Sequence, residues 1–491
     1  MLFNSFTFAI FLPIFFVLYW FVCNRNVRLQ NLLIVIASYI FYGWWDWRFL
    51  LLISFSSVWA WWLGILDERL EKGRRLRLVL SFVINLGILG FFKYFNFFVD
   101  QGVAALSALG FQAHVWTLKI ILPVGISFYT FQTLSYTIDV YRKQIKPTRD
   151  LIAFLAFVSY FPQLVAGPIE RATNLLPQIQ KPRYFNSTQA SDGCRQMLWG
   201  FFKKLAIADS CAPLVNHIFL NYESLPGSTL LLGGVLFAFQ IYGDFSGYSD
   251  IAIGCSRLFG IKLMRNFAYP YFSRDIAEFW RRWHISLSTW FRDYLYIPMG
   301  GSRGTRWESF RNVFVMFMVS GIWHGANWTF VAWGAYNAVL FLPLLLLKQN
   351  RKYVNDIGEG RIFPTLKEGM QVLGTFFLVC VGWVFFRAPN LGVALHYLHK
   401  MFDLSLFTLP RQHLSALPLI VFMVAVEWFQ RRKQHGLTIK SPPPSPAHTT
   451  AHHHTQHIPY TLLLRWIIYI GLSIICFAYF KQEAEFIYFQ F

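Results

Sequence analysis

Charge is scarce in this sequence. Acidic and basic residues together fill only 14% of its 491 positions, against roughly 25% in a soluble domain. The stretch 205–256 holds no Lys or Arg at all. With 55% hydrophobic residues and a mean hydropathy of +0.41, this excludes a soluble globular chain. Paired cysteines are missing too: Cys23, Cys194, Cys211, Cys255, Cys380 and Cys476 are widely spaced and include no Cys-x-x-Cys. That argues against both a disulfide framework and a zinc site. The two halves show no internal similarity of the kind that marks inverted-repeat transporters. No basic segment precedes the first apolar stretch and no small-residue cleavage site follows it, so it reads as a retained span rather than a signal peptide.

What is present in quantity is apolar sequence, in runs close to the roughly 20 residues that cross a bilayer. The clearest are 6–22, 78–98, 228–243, 326–347, 369–386 and 461–480, followed by 31–45, 49–66, 118–138 and 413–429. Shorter pieces at 151–165, 196–208 and 312–324 read as broken or re-entrant helices. The expectation is an all-α polytopic membrane protein of about ten to twelve spans, forming one domain over 1–491. The net charge of +20 comes from 44 basic against 24 acidic residues. Its location matters more than its size. Basic residues gather in the short loops 24–28, 67–77 and 141–149, separated by even numbers of candidate spans. This positive-inside pattern places those loops in the cytoplasm and the N-terminus outside. Dispersal between spans excludes nucleic acid as a partner and points to the lipid bilayer. The segment 441–458 is rich in Pro and His and reads as a flexible loop, its histidines a solvated tract without rigid metal geometry. The aromatic C-terminus, 486–491, reads as interfacial.

Polar residues at membrane depth are costly and mark function. Four islands qualify. In 240–250, Gln240 and Asp244, and likewise Ser246 and Asp250, stand four apart, as helical pairs do. These carboxylates serve as acids or bases, or else anchor buried arginines. In 276–297, a helical wheel puts Arg281, His284, Ser288 and Arg292 on one face and Trp283, Leu287, Trp290 and Tyr294 on the other. That reads as an amphipathic helix at the cytoplasmic interface or dipping into a watery pocket. The glycine-rich run from Pro298 to Arg306, with Arg303 and Arg306, offers backbone NH groups to an anion but matches neither a Walker loop nor a GxGxxG motif. In 320–337, Gly321 and Gly325 form a GxxxG that permits close helix approach. His324 there has Ser320 four before and Asn327 three after it on its own face, so its tautomer can be fixed for general-base work.

Taken together the islands resemble the membrane-bound O-acyltransferase family, in particular its bacterial branch that acetylates alginate. The residues that carry the resemblance are Asp244-Phe-Ser-Gly-Tyr-Ser-Asp-Ile-Ala-Ile-Gly254, Asn266-Phe-Ala-Tyr-Pro-Tyr271, the run from Glu278 to Pro298 including Trp280, Arg281, Arg282 and Trp283, Ser320-Gly-Ile-Trp-His-Gly325, and Pro162-Gln-Leu-Val-Ala-Gly-Pro-Ile-Glu170. The resemblance implies helices packed around a central tunnel. It makes His324 and His284 the catalytic positions. Asp244, Ser246, Asp250, Asn266, Trp280, Arg281, Arg282, Trp283, Ser288, Arg292, Ser320 and Asn327 become donor-binding or tunnel residues. No bound cofactor is implied; acetyl-coenzyme A is the expected donor substrate, its phosphates received by the cytosolic arginines. The implied protein sits in the bacterial inner membrane and passes acetyl to an exported or envelope polysaccharide such as alginate. Its implied partner is a periplasmic Ser-His-Asp (SGNH-type) transferase. Peptidoglycan or cellulose acetylation and D-alanyl transfer to teichoic acid are alternatives within the family. A transporter using His284 and His324 as a proton relay is the alternative from another class.

Removal of 441–458 is expected to leave acetylation of the polymer intact, because a proline-broken tract without apolar residues adds no packing. Loss of acetyl content in a deletion that accumulates normally would show that its histidines matter.

Overall fold

The computed structural model describes residues 1–111, 121–410, 412–439 and 460–480, and within them every regular element is helical. Five helices are long and apolar enough to cross a membrane: Phe49–Arg69, Arg74–Ala108, Gly227–Leu258, Trp328–Leu346 and Leu366–Arg387. Four shorter apolar helices join them at Phe6–Val22, Val27–Gly43, Leu417–Gln430 and Leu462–Ala478. The expected loop at 441–458 and the interfacial C-terminus lie outside the described residues. So does the first part of the expected span 118–138, whose helix begins only at Ile126, after Gly125 at φ 76°. The piece at 312–324 is not broken. It belongs to one continuous helix, Arg306–His324, started by a capping box between Thr305 and Glu308.

The helix Gly227–Leu258, called here the central helix, is the axis of the bundle, with 89% of its most apolar window buried inside the protein. It takes in both the expected span 228–243 and the polar island that follows. Its closest partner runs from Ser187 to Phe201 and continues through a wider, π-helical turn, Phe202–Ala208, into Asp209–Leu220. The two meet through glycines spaced seven apart. A Cβ added at Gly200 would lie 2.6 Å from the carbonyl oxygen of Gly247, and one at Gly193 would lie 2.5 Å from that of Gly254. Small residues on both sides let the backbones touch, which is how helices associate without a hydrophobic drive. Gly321 makes a second such contact with Gly334, across the helices Arg306–His324 and Trp328–Leu346. Gly325, its partner in the GxxxG, already lies beyond the helix end.

The basic loops converge at one end of the bundle. There Arg74 donates to the carbonyls of Val140 and Tyr141, Arg149 to Glu68, and Arg142 to the carbonyl of Asp293.

Gly247→Leu is expected to prevent stable accumulation, since the side chain has no space between the backbones. Gly87→Leu, where an added Cβ meets nothing within 4 Å, is expected to behave as wild type. Size-exclusion profiles and thermal stability in detergent make the comparison; equal profiles for the two would show that the seam does not hold the bundle.

Candidate active site

The segment 276–297 is not the single amphipathic helix that the wheel implies. It breaks into Ile276–Arg282 and Ile285–Phe291, and His284 stands at the break with φ 44°. A non-glycine residue there stores about 1–3 kcal/mol of strain. Asn266 holds it in place: its carbonyl accepts from Ile285 N at 2.9 Å, and its Oδ1 from Ser286 Oγ at 2.9 Å. The break dissolves the expected cationic stripe. Arg281 caps the carbonyls of Asn350 and Tyr353 at 2.6 and 2.7 Å. Arg292 pairs with the neighbouring Asp293 at 2.6 Å. Ser288 bonds the carbonyl of Trp283 at 3.3 Å. His284 instead turns inward and is 1% exposed.

Around His284 the walls are aromatic: Phe245 from the central helix at 4.6 Å, Phe267 at 6.4 Å and Trp323 at 6.3 Å between ring centroids. Both of its ring nitrogens are buried without a hydrogen-bond partner among the described residues. Leaving such groups unmet costs about 1–3 kcal/mol each.

His324 shares Trp323 as a neighbour, its ring 4.9 Å from that indole. Trp333 and Phe386 close around the same imidazole edge-on at 5.1 and 5.2 Å. His324 is the last residue of its helix, and Lys93 caps that end, donating to the carbonyls of Trp323 at 2.6 Å and His324 at 3.0 Å. A small cavity of about 60 Å³ lined by His324, Lys93 and Gly125 opens on one side. A larger one of about 550 Å³ lies beyond Lys93, against Gly325–Thr329 and Arg387. Ser320 is buried one turn below His324. Asn327 is not on the histidine's face: the helix has ended, and Asn327 caps the next one while donating to the carbonyl of Pro389 at 2.8 Å. Trp280 and Trp283 are packing residues of this aromatic wall, at 5.6 Å from Trp333 and 5.0 Å from Trp383. Arg282 is held by Glu278 at 2.9 Å and Asp356 at 3.1 Å.

The carboxylates of the first island face the other way. Asp250 pairs with Lys203 at 2.6 Å and accepts from Gln196 at 2.7 Å; Asp244 pairs with Lys204 at 2.8 Å. Ser246 accepts from Lys203 at 2.9 Å. The buried cations are therefore lysines of the π-helical turn, not arginines. Nearby, Tyr242 donates to the buried Glu427 carboxylate, 2.9 Å from each oxygen. This cluster is separate from the two histidines, although Phe245 shares the central helix with it. Lys93, Lys203, Lys204 and Glu427, none of them in the four polar islands, are each a lone or paired charge inside an apolar run.

Fold and site define a multi-pass membrane protein with two histidines in an aromatic interior. The model of the membrane-bound O-acyltransferase family matches residues 80–363, and the chain belongs to that family. It is thus an O-acyltransferase. It is 42% identical to the probable alginate O-acetylase of Azotobacter vinelandii, over 87% of this chain and 83% of that protein. The probable alginate O-acetylase of Pseudomonas aeruginosa is 40% identical over 91% of this chain and 85% of its own length. A peptidoglycan O-acetyltransferase of Helicobacter pylori is 34% identical over 82% and 80% respectively.

Lys203→Met is expected to cost about 3–5 kcal/mol of stability by stranding a buried carboxylate. The double variant Lys203→Met with Asp250→Leu should recover most of it. Thermal unfolding in detergent tests this; a double variant no better than the single one would show that the pair is not a closed unit.

Proposed function

We propose that this O-acyltransferase takes acetyl from acetyl-coenzyme A at the cytosolic face of the bacterial inner membrane and passes it to a hydroxyl of an exported polysaccharide, with alginate as the polymer. A periplasmic Ser-His-Asp transferase works alongside it. The polymer assignment is supported by the names and coverage of the two relatives from Azotobacter and Pseudomonas. The partner and the donor rest on the family resemblance. The observation that carries the chemistry is the pair of buried histidines that share Trp323 as a neighbour, at 6.3 and 4.9 Å, with both His284 nitrogens unpartnered among the described residues and a cavity opening at His324 and Lys93.

In this reading His324 is the general base. Its neutral imidazole takes the proton of the acceptor hydroxyl as the oxygen attacks the thioester carbonyl. The tetrahedral oxyanion needs a donor, and an N–H of His284 supplies one. When the C–S bond breaks, the leaving thiolate takes the proton from His324, so base and net charge are restored. The apolar wall keeps water from hydrolysing the thioester.

His324→Ala in lipid nanodiscs is expected to lower acetyl transfer from radiolabelled acetyl-coenzyme A to de-acetylated alginate oligomers by about 10²–10⁴-fold, with normal insertion. His284→Asn should keep part of the rate, because its amide still donates. Wild-type transfer in the His324 variant would remove that residue from the chemistry, and no thioester consumption by the wild-type protein would overturn the proposal as a whole.

A further inference from the structure

Among the described residues, two cations at membrane depth have no carboxylate to answer them. Lys93 gives two of its three ammonium protons to the carbonyls of Trp323 and His324. Arg387, the last residue of its helix, donates to the side-chain carbonyl of Asn216 at 2.7 Å and covers the ring of Phe219 at 5.5 Å. Neither forms an ion pair among the described residues. Both line the 550 Å³ cavity beside His324, and no Asp or Glu is among the residues lining it. The helix dipole behind the two carbonyls offsets Lys93 only in part, by about half a charge.

Their position is against the trend of the whole chain. Lys93, His324 and Arg387 lie about 27–32 Å along helices that begin at Arg74, Arg306 and Leu366, at 1.5 Å per residue. They therefore gather at the end opposite the basic loops, where positive charge is sparser. Elsewhere this protein supplies carboxylates to its buried lysines, at 2.6–2.9 Å for Lys203 and Lys204. Here the described residues supply none, although an unanswered charge in a membrane is expensive.

The rest of the lining has the chemistry of a sugar site. Asn327 and Thr329 line it with an amide and a hydroxyl, and Phe92 and Phe330 with aromatic carbon. The volume is within the roughly 300–1,000 Å³ of ligand pockets. We infer that Lys93 and Arg387 form a carboxylate subsite, which receives the acid group of a hexuronate residue and so presents that acceptor's hydroxyl to His324. This rests on the proposed transfer to a polysaccharide and names the feature of the polymer that is recognised: its carboxylate. A neutral glucan lacks that handle.

The experiment measures binding without any acetyl donor, so that it is independent of whether transfer occurs. Wild-type protein in nanodiscs is titrated with a short fluorescent oligouronate and with the same oligomer after its carboxyls are reduced to alcohols. The reduced oligomer is expected to bind at least about tenfold more weakly. Arg387→Gln and Lys93→Gln should each weaken the oligouronate by about tenfold, equivalent to about 1.4 kcal/mol, and leave the reduced oligomer unaffected. Lys93→Arg should retain most of the affinity, which separates charge from any disturbance of the helix end. Equal binding of the two oligomers overturns the inference, as does an oligouronate affinity unchanged in both Gln variants. Binding of a peptide's terminal carboxylate in place of the oligouronate also overturns it. Normal binding with no acetyl transfer would instead count against the proposed function.

Discussion

The contact of two backbones at Gly193, Gly200, Gly247 and Gly254 is the constraint from which the rest of the bundle follows. Helices that touch leave no room for lipid or water between them, so each polar side chain at the seam must be met from the opposite helix. The π-helical turn at Phe202–Ala208 brings Lys203 and Lys204 to that seam. Asp250, Ser246 and Asp244 meet them from the central helix. Glycines set the distance and charges set the register. A slide of one helical turn, about 5.4 Å, would strand two ammonium groups and two carboxylates at a depth where none is tolerated.

A central helix fixed in this way can carry the site on its other faces. Phe245, next in sequence to Asp244, is the wall against which His284 rests. Asn266 follows the central helix by a few residues, bonding Ser249 behind it at 3.1 Å and clamping the strained segment after His284. The strain at His284 therefore rests on a polar relay anchored in the rigid seam. His324 is held from a different direction, by Lys93 at its helix end and by the Gly321–Gly334 contact below it. The two histidines belong to separately braced units, joined through Trp323.

The helical, polytopic character was legible because long apolar runs are a direct consequence of crossing a bilayer. The islands at 240–250, 276–297 and 320–337 were legible as well, because polar residues inside such runs stand out. What they do in detail was not. The wheel over 276–297 assumes unbroken helical geometry, and nothing in Trp283-His284 announces the left-handed turn that splits it. Asn327 was placed on the face of His324 for the same reason, although the helix ends before Gly325. Asp244 and Asp250 read as acids or bases, or as anchors for buried arginines, because carboxylates at membrane depth usually pair; the lysines that pair with them come from a helix some forty residues earlier. Lys93, Lys203 and Glu427 each carried a signal in the form of one charge inside an apolar run, which the division into spans absorbed.

The charges sort into two kinds. Those at the seam are matched side by side and create no field at a distance. Those near His324, Lys93 and Arg387, meet carbonyls, an amide and a ring but no carboxylate among the described residues, so the end of the bundle that faces the larger cavity keeps a positive potential in an apolar setting, where screening is weak. Between the two kinds lies an aromatic interior in which His284 has no carboxylate partner among the described residues. Such a site suits the proposed transfer, in which a neutral base passes a proton from a hydroxyl to a leaving thiolate, because no step of it leaves an uncompensated charge in the membrane. A hydrolase built on a Ser-His-Asp relay would need a buried carboxylate against the imidazole. This protein has buried carboxylates within the same central helix, yet it turns them toward the lysines and presents Phe245 to His284 instead.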